Sequence, residues 1–229
     1  MVNELLVYHH LGLGDHIVCN AMIRSFCGKY DVVYLFCKAH NIPSIKAMFA
    51  DIRNLSIELV QDDIMAVRFF NEFQFDKIGI GYYGDSWDEH SGESFDVQFY
   101  RQAGMSIDKR WSGFAVMRNI NTECRLMEKL RLPREYIFLH DDEDRGYKID
   151  RRKINTLLPI IKPVKGFTEN AIDYLAIIEN AAEIHCINSS FMLLVDSFPM
   201  KCPLYWHKYA RDEGKISTPV VLNKWKVLL

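Results

Sequence analysis

The sequence contains no uninterrupted apolar stretch approaching the roughly 20 residues that a bilayer-spanning helix needs, so no transmembrane segment is expected. It has no excess of positive charge: 28 Lys and Arg face 30 Asp and Glu, a formal net charge of −2. That balance lacks the basic footprint of a nucleic-acid-binding protein, and the short run Arg151-Arg152-Lys153 reads as a solvated helix face. The six cysteines form no C-x-x-C pair and no Cys/His set with zinc spacing. Several sit in apolar runs such as Ile184-His185-Cys186-Ile187, where a reduced thiol packs as a small hydrophobe, which fits a reducing compartment. The start, Met1-Val2-Asn3-Glu4, has no basic segment followed by an apolar one, so no signal peptide is read and a cytoplasmic location is expected. Low-complexity segments and short-period repeats are also missing.

What is there is a chain of 229 residues, 49% of them hydrophobic, enough for one large domain or two small ones. The pattern alternates. Leu5-Leu6-Val7-Tyr8 reads as a strand, Gly12-Leu13-Gly14 as a tight turn, and Ile17, Ala21, Met22 and Phe26 as the apolar face of a helix. Strands are expected at 32–36, 57–60 and 77–80, with helices at 43–49, 63–73 and 95–103. Residues 81–93, rich in glycine, aromatics and acids, read as a long loop of the kind that carries function. The stretch 108–121 lacks periodicity and marks the connection between two lobes, 1–118 and 119–229. The second lobe repeats the grammar. A helix is expected at 124–130, a strand at 136–139, an edge strand at 156–161 cut by Pro159, a helix at 170–182, a strand at 184–187 and a helix at 191–198.

Three segments carry candidate chemistry. In Gly12-Leu13-Gly14-Asp15 the glycines let the backbone turn and approach a ligand, and free amides open the next helix. A dinucleotide fingerprint would want glycine at position 17, where Ile17 stands, and an acid after the second strand, where Cys37-Lys38 stands. Asp15 reads either as a helix-start carboxylate held by the dipole or as a general base at the mouth of a cleft. His9, His10 and His16 crowd the same turn; neighbours on a strand face opposite ways, so one is expected buried and another lining the site, with His10 and His16 as site candidates.

The second segment is His140-Asp141-Asp142-Glu143-Asp144-Arg145-Gly146-Tyr147-Lys148. Its acids could converge on a divalent cation, or Arg145 and Lys148 could meet a diphosphate while the acids brace the loop; a solvated charged turn is the plain alternative. The third is Asn188-Ser189-Ser190, delivered by a buried strand to a helix start, where hydroxyls and amides suit a phosphate or simply cap the helix. Thr168 and Glu169, ahead of another helix, could hold a ribose or base or serve as caps.

Taken together, these segments resemble the GT-B class of glycosyltransferases and, more loosely, its heptosyltransferase branch. Gly14-Asp15 is similar to that branch's glycine turn and proposed base. Asn188-Ser189-Ser190-Phe191 is similar to the late hydroxyl-bearing turn used on the donor diphosphate. The block Phe138 to Lys148 looks like the first strand and loop of the donor lobe. The resemblance implies an α/β fold of two Rossmann-like lobes whose parallel sheets face a central cleft, in a minimal form. It implies an acceptor-side lobe over 1–118 and a nucleotide-sugar lobe over 119–229. Asp15 and His16 would be catalytic. Gly12, Gly14, His140, Asp142, Arg145, Lys148, Thr168, Asn188, Ser189 and Ser190 would bind the donor. His10, Tyr82, Tyr83 and Trp87 would bind the acceptor. The partners would be a nucleotide-sugar and a glycan acceptor, with no metal or other cofactor required, and the transfer would be of the hexosyl or deoxyhexosyl class. The chain is shorter than typical members, which points to a minimal form or one module of a larger multidomain transferase. Three rivals stand beside it: a metal-dependent GT-A type transferase using Asp142 and Asp144, a non-catalytic nucleotide- or sugar-binding module, and an NADP-dependent oxidoreductase with Lys38 on the 2′-phosphate.

Overall fold

The computed structural model describes residues 2–154, 157–211, 214 and 216–229. The chain forms two compact units: Met1–Met117 with Lys215–Val220, and Arg118–Gly214 with Val221–Leu229.

In the first unit, β1 (Glu4–Tyr8), β2 (Val32–Lys38), β3 (Leu55–Val60) and β4 (Asp76–Gly79) make a parallel sheet in the order β3-β2-β1-β4. β1 is buried on both faces, which explains its unbroken apolar run. After the turn at Gly12, α1 (Leu13–Val18) and α2 (Asn20–Cys27) run almost as one helix. The Cys19 amide donates to the Asp15 carbonyl at 2.8 Å, and the Ile23 amide to the Cys19 carbonyl at 2.9 Å. α3 (Ile42–Met48) starts with Pro43 in its first turn, where a missing N–H costs nothing. α4 (Asp63–Glu72) is capped by Asp62, whose carboxylate accepts the Met65 amide at 2.9 Å. It packs Ala66, Phe70 and Met65 on Leu6, Tyr8, Phe36 and Val60.

α5 (Phe95–Gln102) follows the long loop, and α6 (Lys109–Ser112) occupies part of the stretch read as featureless. That expectation is corrected by a buried ion pair. Arg110 of α6 and Asp96 of α5, both fully buried, meet at 2.5 Å. Asp96 also accepts the Val220 amide at 3.0 Å, and Arg110 donates to the Val220 carbonyl at 2.6 Å. These bonds tie Val220 to α5 and α6. A four-residue helix with one apolar side chain, Trp111, gives no hydrophobic rhythm to read.

The second unit opens with α7 (Ile120–Leu130), capped by Asn119. Its parallel sheet holds β5 (Ile137–His140), β6 (Ile160–Ile161), β7 (Glu183–Cys186), β8 (Leu204–His207) and β9 (Trp225–Leu228) in the order β6-β5-β7-β8-β9. α8 (Leu175–Glu179) packs on α7, and α9 (Ser190–Asp196) sets Phe191 5.7 Å from Phe138 of β5. The expected strand over 156–161 shrinks to the edge pair Ile160–Ile161; Thr156 lies outside the described residues. The expected helix over 170–182 is a 3₁₀ turn, Ala171–Tyr174, followed by the five residues of α8. Asn170 starts that turn by accepting the Ile172 amide at 3.0 Å. β8 and β9 went unread. The architecture is α/β with two all-parallel sheets, as the alternation predicts.

Candidate active site

Open parallel sheets bind ligands beyond the carboxyl ends of their strands, where the strand order reverses. In the first sheet the chain moves from β1 outward to β3, then returns to the other side of β1 as β4. The reversal is therefore flanked by the loop after β1 and the start of α1, which hold His10, Gly12 and Asp15, and by the loop after β4, which holds Tyr82, Tyr83 and Trp87.

Gly12 has an ordinary extended backbone, φ −75° and ψ 149°, so backbone freedom is not its purpose. A Cβ there would stand 2.6 Å from Asp15 Oδ2; the missing side chain is the space that the carboxylate fills. Gly14 lies in the first turn of α1, beside Asp15. Burial pushes the Asp15 carboxyl up from 3.8 to about 7, against the opposing pull of the Asp15 and Gly12 amides and with added help from the Asp63 charge. A carboxylate that changes charge near neutrality suits a general base.

His9 and His10, just past the end of β1, turn opposite ways. His9 turns inward against His16, ring centroids 4.5 Å apart and edge-on, and each residue is 1% exposed. Burial holds both imidazoles neutral, His9 down at about 4 and His16 well below its ordinary value. His10 turns toward the aromatic loop. It stacks on Phe99 at 5.6 Å and meets Tyr82 edge-on at 5.2 Å, while Tyr82 and Trp87 lie 4.8 Å apart. Gly81, at φ +74°, makes this possible, since a Cβ there would fall 2.3 Å from His10 Nε2. The Tyr82 amide donates to that nitrogen at 3.4 Å.

Tyr83 turns the other way, stacking on Tyr8 at 3.9 Å and donating its hydroxyl to Asp63 at 2.8 Å. Lys38 closes the group, 3.1 Å from the same carboxylate. Asp63 went unread because a helix-start acid gives no sign that it joins two strand ends. A groove of about 710 Å³ opens beside β4, lined by Phe70, Lys77, Tyr83, Asp85, Asp88 and Arg101 among others. The structure thus gathers His10, Tyr82, Tyr83 and Trp87 at one end of the first sheet, the end where Asp15 also stands.

In the second sheet the reversal falls between β5 and β7, and the loops there hold His140 to Lys148 and Asn188 to Ser190. His140 lies 4.5 Å from the Phe191 ring, its Nδ1 is buried without a partner, and burial lowers its imidazole to about 4. Ser189 caps α9, its hydroxyl accepting the Met192 amide at 3.3 Å. The acidic loop is internally paired. Asp142 accepts from Arg145 Nε at 2.6 Å, Glu143 meets Lys148 at 3.3 Å, and Lys162 binds Asp141 and Glu143, each at 2.5 Å. Thr168 belongs to the turn before α8, donating to Asp173 at 2.5 Å and accepting the Asn170 amide at 3.0 Å. Among the described residues no group of three or more His, Cys, Asp or Glu is arranged to hold a metal ion.

Arg211 was missed, and it joins the two loops. It donates to the Asn188 carbonyl at 2.9 Å and lies 5.1 Å from the Tyr147 ring. Also missed was a chain of contacts: Glu183 to His185 at 3.2 Å, His185 to His207 at 2.8 Å, His207 to Tyr209 at 3.1 Å, and the Asp150 amide to Tyr209 at 2.9 Å. One tautomer assignment satisfies every link: Asp150 N–H to Tyr209 Oη, Tyr209 O–H to His207 Nδ1, His207 Nε2–H to His185 Nδ1, and His185 Nε2–H to Glu183.

No family model and no curated protein matches the sequence. The fold is similar to that of the glycosyl transferase family 9 protein from Veillonella parvula DSM 2008, with TM-score 0.52, 8% identity, and coverage of 90% of this chain and 80% of that one. A second solved structure, the iron-containing dodecameric glycosyltransferase TibC from enterotoxigenic E. coli H10407, aligns with TM-score 0.49 and 10% identity. That alignment covers 90% of this chain and 58% of that one. At such identities the likeness is one of fold.

Proposed function

We propose that the protein is a glycosyltransferase that moves a sugar from a nucleoside-diphosphate donor to a hydroxyl of a glycan acceptor, with Asp15 as general base. The observation that carries this reading is the Asp15 carboxyl. It stands at the reversal point of a parallel sheet, in space left by Gly12, with burial raising it to about 7. The fold likeness to a family 9 glycosyl transferase is consistent with it.

In this reading the aromatic group His10, Tyr82, Tyr83 and Trp87 receives the acceptor, since aromatic faces stack on the apolar faces of sugars. Ionised Asp15 takes the proton of the acceptor hydroxyl, whose oxygen attacks the anomeric carbon while the bond to the diphosphate breaks; in-line displacement inverts the centre. The second unit holds the donor. The amides that open α9, the Ser189 and Ser190 hydroxyls and Arg211 face the growing charge on the leaving diphosphate. Arg145 and Lys148, both largely exposed, join by exchanging Asp142 and Glu143 for phosphate oxygens. His16 packs against His9 beside the base in sequence, Thr168 holds its turn beside the nucleotide, and the chemistry runs without a metal in a cytoplasmic protein or in one module of a longer enzyme.

Asp15→Asn should abolish transfer while nucleotide binding, read as thermal stabilisation by UDP, GDP, ADP or dTDP, persists. Unchanged turnover removes Asp15 from the role. EDTA should leave activity intact; loss on EDTA with recovery on Mn²⁺ would move the chemistry to the Asp142-Glu143-Asp144 loop.

A further inference from the structure

We propose that β3 is a homodimerisation edge, along which two copies of this chain pair antiparallel about a two-fold axis at Ile57. The inference concerns assembly and stands apart from the catalytic reading.

β3 ends its sheet and is laddered only to β2. The Val33 amide donates to the Asn54 carbonyl at 2.9 Å, with Val33 opposite Leu55. In a parallel ladder this fixes the alternation: Asn54, Ser56, Glu58 and Val60 turn their backbone groups toward β2. Leu55, Ile57 and Leu59 turn theirs to the open side. The open-side set is symmetric about Ile57. Two copies laid antiparallel there pair Ile57 with Ile57 and Leu55 with Leu59, each pair exchanging both N–H···O bonds, so every outward group of these three residues is used.

Other registers do worse. A shift that changes the parity sets outward groups against inward ones. Centring on Glu58 keeps parity but sets two Glu58 carboxylates face to face, and centring on Ser56 sets the Leu59 of each copy opposite residue 53, beyond the strand. At Ile57, Glu58 lies across from Ser56 of the second copy. Within one chain Ser56 already donates to Glu58 at 2.7 Å, so the polar pair is made on the same face. The edge also lacks the usual protection: Leu55–Val60 carries one charge, no lysine and no proline. Leu59 is 57% exposed, and its pairing with Leu55 of the second copy covers apolar surface at this edge.

Sedimentation velocity on the full chain across two orders of magnitude in concentration tests the proposal, with melts by circular dichroism on each variant. The native chain should self-associate. Ser56→Lys, facing Glu58 of the second copy twice across the axis, should tighten the dimer by about tenfold, and Ser56→Glu should weaken it by about as much. Ile57→Pro removes an N–H that the single chain does not use and should leave a monomer with an intact melt. A chain that is monomeric at every concentration overturns the proposal. So does association that Ser56→Lys and Ser56→Glu change alike or leave untouched while the melts stay native.

Discussion

If burial raises the Asp15 carboxyl, ionising it works against the fold, and the loss can be measured without knowing the substrate. The folded value is about 7 against an ordinary 3.8. Between those limits the native chain holds a proton that the unfolded chain has released, so this group makes stability fall as pH rises through the window and leaves the full loss above it. A displacement of that size corresponds to about 4 kcal/mol at 1.36 kcal/mol per pH unit. Asp15 keeps limited solvent access, so about 2 kcal/mol is the working figure. Asp15→Asn cannot ionise. Its melting temperature should exceed that of the native chain by an amount that grows from about pH 4 to about pH 8, by about 6 °C in all. The comparison must be a difference of differences, because the neutral histidines His9, His140 and His207 act with the opposite sign below pH 6.5. Differential scanning calorimetry at several pH values measures it. A gap between the two proteins that does not change with pH would refute the argument from burial, and with it the expectation that activity rises as pH passes through about 7.

Gly12→Ala sets a methyl 2.6 Å from Asp15 Oδ2 but keeps an allowed backbone. It should destabilise the native chain, yet stabilise Asp15→Ala by about 0.5 kcal/mol, a reversal of sign read by urea denaturation. Asp96→Ala leaves Arg110 buried opposite an empty site and should cost about 3–5 kcal/mol in the same assay. Trp87→Ala should raise the acceptor KM by about tenfold and leave nucleotide-induced stabilisation unchanged. The His207 imidazole sits at about 4 folded, so its stabilisation is complete above 6.5 and lost as pH falls toward 4. His207→Gln should flatten the acid side of the stability profile, followed by circular dichroism.

What the sequence disclosed, and what it hid, divides by the range of the interaction. Leu5 to Tyr8, the Gly12 turn and the α2 stripe are local patterns, and they reappear as β1, α1 and α2. β8 and β9 escaped because Leu204-Tyr205-Trp206-His207 mixes aromatics with a buried histidine, and Trp225–Leu228 is a short sheet-edge strand whose two middle residues are exposed. Neither has the apolar rhythm of β1. Within the candidate site, loop positions were readable because glycine and acids cluster there, but pairings were not. Lys38 and Asp63 are 25 positions apart, Lys162 and Asp141 are 21, and His185 and His207 are 22. Each pair meets only because two parallel strands end side by side. The same topology bears on the chemistry: a reversal of strand order places two loops, distant in sequence, at one end of each sheet. Gly12 with Asp15 and Gly81 with His10 then record close contacts that only these glycines permit. A glycine whose backbone is ordinary, kept where a neighbouring carboxylate needs the room, argues for that carboxylate more strongly than a motif does.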